Sequence, residues 1–356
     1  MGEINNYKCK SCEAPLVYDP KTGKLLCEFC GNTYDLSEYE PAPAEKTEKQ
    51  EETSQWGVEE GMKAYTCPSC GAQLICDQTT AATSCPYCGN NTVIPGQFAG
   101  ALKPEFVIPF EVTRDQAIEA LEKHYHGKKL LPDSFKKRNH IEKIQGVYVP
   151  FWLYDKQAEG RLCCDCSNSE THREGDYLVS TVRHYSVERE GTMEFQKVPA
   201  DASSRMPDDY MDSLEPFDYK KLKPFSETYM PGFLADKYDV DKETAEERAG
   251  TRCENSMLLA MRDTVTGYDS VTIQQKDISL KDQGCHYALL PVWTLATKWK
   301  EKTYLFAVNG QSGKMVGDLP VDQGKLRKIF WSIVLGGGTV LSLLFSGPLG
   351  RMLANL

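Results

Sequence analysis

Basic side chains are in deficit in this chain. Its 356 residues carry 41 Lys and Arg against 51 Asp and Glu, a formal net charge of -10. A protein that grips many phosphates without sequence preference needs the opposite balance, so non-specific nucleic-acid binding is disfavoured. Residues 1–12 hold no apolar run, so no secretory signal is expected. Apolar residues make up 40% and charged residues 26%, proportions that rule out both wholesale disorder and a multi-span membrane protein. At this length several folding units are expected.

What is plentiful is cysteine. Of 14, eight sit in four C-x-x-C pairs: Cys9 with Cys12, Cys27 with Cys30, Cys67 with Cys70, and Cys85 with Cys88. A chain of this length needs no disulfides to hold a core, and such pairs read as metal ligands in a reducing compartment. In each half, 14 residues separate the first pair from the second. Two residues between cysteines let a tight turn aim both sulfurs at one point. Four thiolates then close a tetrahedron around zinc, with Zn–S of about 2.3 Å. All four ligands come from protein, which leaves no position for a catalytic water. Two structural Zn2+ ions are therefore expected, with iron or a redox-active dithiol as the alternative.

The two halves are copies. A shift of 58 residues lays the first four cysteines on the second four, Tyr7 on Tyr65, Ser11 on Ser69, Leu16 on Leu74 and Asp19 on Asp77. Gly31, Gly71 and Gly89 each follow the second cysteine of a pair, where positive φ lets the turn close. Leu16 to Tyr18 and Leu25-Leu26, flanking Asp19 to Gly23, predict a β-hairpin. Between the copies, Glu38 to Glu60 has eight Glu, two Lys and almost nothing to bury, which reads as a flexible spacer. The second copy has no basic residue from Tyr65 to Asn91. Protein docking is thus favoured over nucleic acid, with Phe29 and Tyr87 at the turn tips as either exposed anchors or fillers of a small core.

Downstream the pattern is that of a larger mixed domain. Thr113 to Gln116 forms a capping box, followed by Ala117, Ile118, Leu121 and Tyr125 at helical spacing. Ala245, Ala249, Cys253, Met257 and Met261 predict a long helix over 241–263. VYVPFWLY at 147–154, the alternation from Tyr177 to Val187, and runs at 288–296 and 304–308 predict strands, the last followed by a turn at Asn309-Gly310. From Ile329 to Gly350, 22 residues carry no charge; Lys325, Arg327 and Lys328 precede them and Arg351 follows. That predicts a C-terminal transmembrane helix with the bulk of the chain in the cytoplasm, a buried or re-entrant helix being the alternative.

The expected fold is therefore α+β and multidomain: zinc ribbon 1 at 1–36, an acidic flexible linker at 37–61, zinc ribbon 2 at 62–98, a mixed α+β cytoplasmic domain at 99–322 and a single-pass membrane anchor at 323–356. Other constellations are weaker. Adjacent cysteines in a strand point to opposite faces, so Cys163, Cys164 and Cys166 with His172 make a poor third metal site. Cys285-His286 lacks a third group for nucleophilic catalysis, and His124-x-His126 reads as a helix cap or a surface feature. Gly310 to Lys314 lacks the spacer and the Ser/Thr of a phosphate loop. The acidic stretch Asp201, Asp208, Asp209, Asp212, Glu215 and Asp218 lacks EF-hand spacing and reads as a solvated loop.

Several phrases resemble those of a bacterial family of membrane proteins with twin N-terminal zinc ribbons of the TFIIB type. They are GVYVPFWLYD (146–155), VPADASSRMPDDYMDSLEPFDY (198–219), PGFLADKYDV (231–240), LLPVWTL (289–295) and YLFAVNGQSGKMVGDLP (304–320). Members are often labelled primosomal-helicase-like, a label resting on the ribbons; no Walker A or helicase motif is present here. Some relatives look like partners of a phage-shock protein A homologue, a TPM-domain protein and a flotillin-like protein. The resemblance implies a non-enzymatic, membrane-tethered adaptor for envelope stress, docking cytoplasmic or membrane proteins. A membrane-linked nucleic-acid binder and an enzyme within 99–322 are the competing readings.

Overall fold

Two apolar runs, Val147–Tyr154 and Tyr287–Leu295, are buried on both faces in the computed structural model, which describes residues 7–40, 55–56, 63–76, 80, 84–90, 94–96, 101–137 and 141–346. Unbroken apolar runs are what strands covered on both sides require. In chain order the strands are β1 (Val17–Asp19), β2 (Lys24–Leu26), β3 (Thr33–Tyr34), β4 (Gln55–Trp56), β5 (Lys63–Thr66), β6 (Gln73–Cys76), β7 (Ile94–Gly96), β8 (Ala101–Leu102), β9 (Phe106–Val107), β10 (Gln145–Glu174), β11 (Tyr177–Asp201), β12 (Lys223–Pro224), β13 (Leu234–Asp236), β14 (Ser270–Trp299), β15 (Lys302–Asn309) and β16 (Met315–Gly317). The helices are α1 (Arg114–Tyr125), α2 (Asp208–Leu214), α3 (Lys242–Asp263) and α4 (Gln323–Ser346).

An 11-stranded sheet organises the molecule. Antiparallel β10 and β14 form its centre, pairing from Gln145↔Thr294 to Ser167↔Ser270. Alternate residues of both strands feed separate cores. Tyr148, Trp152, Leu289 and Trp293 join one that also takes Tyr7, Leu16, Tyr18 and Leu25 of ribbon 1 and Ala117 and Leu121 of α1. Val147, Val149, Leu290 and Val292 join another with Cys67, Leu74, Cys85 and Tyr87 of ribbon 2 and Met211 and Leu214 of α2. The period-2 alternation of a strand thus sends ribbon 1 into one core and most of ribbon 2 into the other, with Ile75 of ribbon 2 joining the first.

Past the body, β10, β11 and β14 run on as a three-stranded arm. Both ladders of β10 slip beside Asp155, a bulge where the strands leave the body. The capping box at Thr113 is present, with Thr113 Oγ1 accepting from Gln116 N at 3.3 Å. α3 buries Ala245, Ala249, Cys253, Met257 and Met261, as their spacing predicts. The far end of α3 packs on the arm, where Met257, Met261 and Val265 cover Ala158, Leu162, Cys164 and Cys166. The acidic stretch is not a solvated loop. Arg248 pairs with Asp201, Asp208 (3.1 Å) and Asp212 (2.6 Å), and Arg252 with Glu215, which pins the stretch to α3.

Two expectations are corrected. Sheet outweighs helix, because strands read as short apolar runs continue for 25 to 30 residues as polar, half-covered ribbons. The C-terminal transmembrane helix, and with it single-pass membrane localisation, is not supported: among the described residues no helix is long and apolar enough to cross a membrane. The first turn of α4 is polar and tied to the body, Lys325 Nζ donating to Leu131 O at 2.8 Å and Asp133 Oδ1 at 2.6 Å. Side chains of the expected span are described only from Ile329 to Gly336, about 12 Å of helix. Residues 347–350 of that span, and 41–54 and 57–61 of the linker expected at 37–61, lie outside the described residues.

Candidate metal centres

Each C-x-x-C pair folds into the same knuckle. The amide of the first cysteine donates to the carbonyl five residues on, and the amide four residues on donates back to its carbonyl. The four copies are Cys9 N→Ala14 O and Glu13 N→Cys9 O, Cys27 N→Asn32 O and Gly31 N→Cys27 O, Cys67 N→Ala72 O and Gly71 N→Cys67 O, and Cys85 N→Asn90 O and Gly89 N→Cys85 O, all at 2.8–2.9 Å. The residue closing each knuckle has positive φ: 76°, 72° and 66° at Gly31, Gly71 and Gly89, and 59° at Glu13, where the repeat would place a fourth glycine. A non-glycine there costs roughly 1 kcal/mol of backbone strain.

Two such knuckles face each other in each ribbon. The sulfurs of Cys9, Cys12, Cys27 and Cys30 lie within 4.8 Å of one another, as do those of Cys67, Cys70, Cys85 and Cys88. Cys9 to Cys30 and Cys12 to Cys27 are 3.5 Å apart, Cys67 to Cys88 and Cys70 to Cys85 3.6 Å. A tetrahedron with metal–sulfur bonds of about 2.3 Å has edges of about 3.8 Å, so both cages fit a tetrahedral ion. All eight predicted ligands are brought together, four to each group, and each group can hold a metal ion. Donors aimed at sulfur suit the thiolate form. Ser11 N donates to Cys9 Sγ at 3.4 Å, and the Tyr34 hydroxyl, 3.2 Å away, holds the Cys9 thiol below its ordinary value.

The surroundings of the cages differ. In ribbon 1, β1, β2 and β3 form their own sheet, docked by Tyr18 N→Pro231 O at 3.0 Å and by Tyr18 edge-on to Tyr229. Phe29 is 84% exposed. In ribbon 2 the hairpin β5–β6 belongs to the main sheet, because β6 pairs with β13 at Leu74↔Asp236 and Ile75↔Ala235. Tyr87 is a core residue, its hydroxyl donating to Asp236 Oδ2 at 2.8 Å; Ser203 Oγ donates to the same oxygen at 2.7 Å. Burial pushes the Asp236 carboxyl up to about 7 against the pull of those two bonds, and its Oδ1 has no partner among the described residues. Arg205 reaches Cys70 O and Gly71 O at 2.5 and 3.2 Å and pairs with Asp239 at 3.3 Å.

Reading the cysteines alone misses Tyr34, Ser203, Arg205 and Asp236. Three of these four lie inside the phrases 198–219 and 231–240 that carry the family resemblance. The remaining constellations stay apart from the cages. Cys164 and Cys166 are buried under α3 while Cys163 is half-buried, and among the described residues only the two cage groups gather metal-ligand atoms. His286 sits 2.8 Å from Glu105, and Cys285 is pushed up to about 11, chiefly by burial. His126 caps α1. Asn309 Oδ1 accepts from Gln311 N and Ser312 N, so Gly310–Lys314 is a hairpin turn between β15 and β16.

No family model matches the chain, and no solved structure does. Along its whole length it is similar to a Bacillus subtilis (strain 168) protein described as "Uncharacterized protein YdjG": 34% identical over 340 residues, 96% of each chain. The chain belongs to the YdjG family. The similarity to YdjG covers both ribbons, the central sheet and the arm alike, since the alignment leaves out only 4% of either chain.

Proposed function

We propose that this protein is a non-catalytic docking adaptor whose two cages each hold a structural Zn2+. The observation that carries the reading is closure: each cage sets four protein sulfurs within 4.8 Å of one another. Zinc takes four thiolates without a geometric or redox demand, and binding worth about 10–16 kcal/mol orders loops with little core of their own. Protein partners suit the net charge of -10 and a second ribbon with no basic residue from Tyr65 to Asn91. Two apolar anchors stand clear of the body: Phe29 on ribbon 1, and Tyr177 and Leu178 at the arm tip, 84%, 78% and 77% exposed. The phrases that resemble those of the twin-ribbon family point to phage-shock and flotillin-like components as the partners.

Elemental analysis of purified full-length protein is expected to find two zinc ions per chain. Crosslinking mass spectrometry in cells is expected to recover protein partners at ribbon 1 or the arm, with Phe29→Asp or Leu178→Asp depleting its own set of crosslinks several-fold. Substoichiometric zinc, or salt-dependent nucleic-acid binding with no protein crosslinks, overturns the reading.

A further inference from the structure

We propose that the first cage is a peroxide-sensitive modification site, at which oxidation joins Cys30 to Cys9 and expels the metal, while the second cage is shielded. This rests on the reading that both cages hold zinc.

The internal repeat allows a position-by-position comparison of the two cages. Cys30 is exposed, whereas its counterpart Cys88 is half-buried. Glu28, Phe29, Gly31 and Asn32 around Cys30 are all exposed, whereas Pro86 and Tyr87 are buried and Gly89 and Asn90 half-buried. A methyl group built on Gly31 meets nothing within 4 Å; on Gly89 it meets Ala296 O at 3.3 Å, and on Gly71 Arg205 Nη2 at 3.6 Å. Strand β14 and Arg205 therefore cover the second cage where the first faces solvent. A cleft of about 580 Å³ lies beside this cage, between the ribbon 1 hairpin and the body, lined by Leu26 and Glu28 on either side of the buried Cys27.

Hydrogen peroxide is small enough to reach Cys30. The thiolate attacks one peroxide oxygen, the O–O bond breaks, and hydroxide leaves, giving a sulfenic acid. Cys9 Sγ, 3.5 Å from Cys30 Sγ, then attacks that sulfur, forming the S–S bond and expelling a second hydroxide. One peroxide and two thiolates yield one disulfide and two hydroxides, which take up protons as water. Cys12 and Cys27 remain, and two ligands hold zinc far less tightly than four.

The test uses full-length protein shown by elemental analysis to carry two zinc ions. Released metal is followed with a chromophoric chelator during a hydrogen peroxide titration. Samples are quenched with N-ethylmaleimide and mapped by mass spectrometry. One equivalent is expected at least tenfold faster than the second, alongside a peptide linked through Cys9 and Cys30 and unmodified Cys67, Cys70, Cys85 and Cys88. Simultaneous release, no release, or earlier modification of the second cage overturns the inference alone. Failure to load two zinc ions overturns the adaptor reading and this inference with it.

Discussion

Asp236 has one oxygen bonded to Tyr87 and Ser203 and the other, Oδ1, buried without a partner among the described residues. A carboxylate so placed has lost its water, and burial lifts it from 3.8 to about 7. Between these values the folded state keeps a proton that the unfolded state releases. The contribution is thus fully present below about 4 and is lost as pH rises toward 7, at up to about 1.4 kcal/mol per pH unit. Asp236→Asn keeps an acceptor for Tyr87 and Ser203 and removes the ionisation. Denaturant unfolding is expected to show this variant gaining stability relative to the parent from pH 5.5 to pH 8; a constant difference across that range contradicts the assignment.

At the scale of elements, the arm depends on how α3 lies on it. Gly160 and Gly191 face each other across β10 and β11, yet their surroundings differ. A methyl at Gly160 falls 2.9 Å from Met257 Cε and 3.0 Å from Met261 Sδ, whereas one at Gly191 meets nothing within 4 Å. Gly160→Val is expected to cost about 1–3 kcal/mol by overpacking, with faster hydrogen exchange at the end of α3, and Gly191→Val to stay within about 0.5 kcal/mol. Equal effects of the two variants contradict the contact. Helix α3 was legible because one face repeats alanine and methionine every fourth residue. The arm was legible only where Tyr177 to Val187 alternate, in β11; 169–176 carry exposed polar side chains in no order that separates a strand from a loop. Its pairing comes from the opposite strands, which local periodicity does not encode. Likewise the acidic stretch looked solvated because its arginine partners stand more than 35 residues away.

At the scale of the molecule, the two ribbons are attached by different bonds. Ribbon 1 is docked through side chains and one backbone contact, whereas ribbon 2 lends strands to the central sheet. Losing the second metal should therefore loosen the body. Cys85→Ser is expected to lower protection from hydrogen exchange at β6 and β13 and to reduce the unfolding midpoint of the whole chain. Cys30→Ser is expected to confine its losses to residues 7–40. The reverse pattern contradicts this architecture. All eight cage cysteines were legible in sequence, since a fixed spacing makes the knuckle. The burial that separates one cage from the other was not, because Ala296 and Arg205, which cover the second, come from distant β14 and the loop after β11.

From the bulge at Asp155 to the turn at Gly175, β10 continues for about 60 Å of extended chain, and α3, with Val265 just past its end, covers it only as far as Cys166. On the docking reading proposed above, a partner held at Tyr177 and Leu178 would sit at the end of that ladder, beyond the reach of the helix that covers its base.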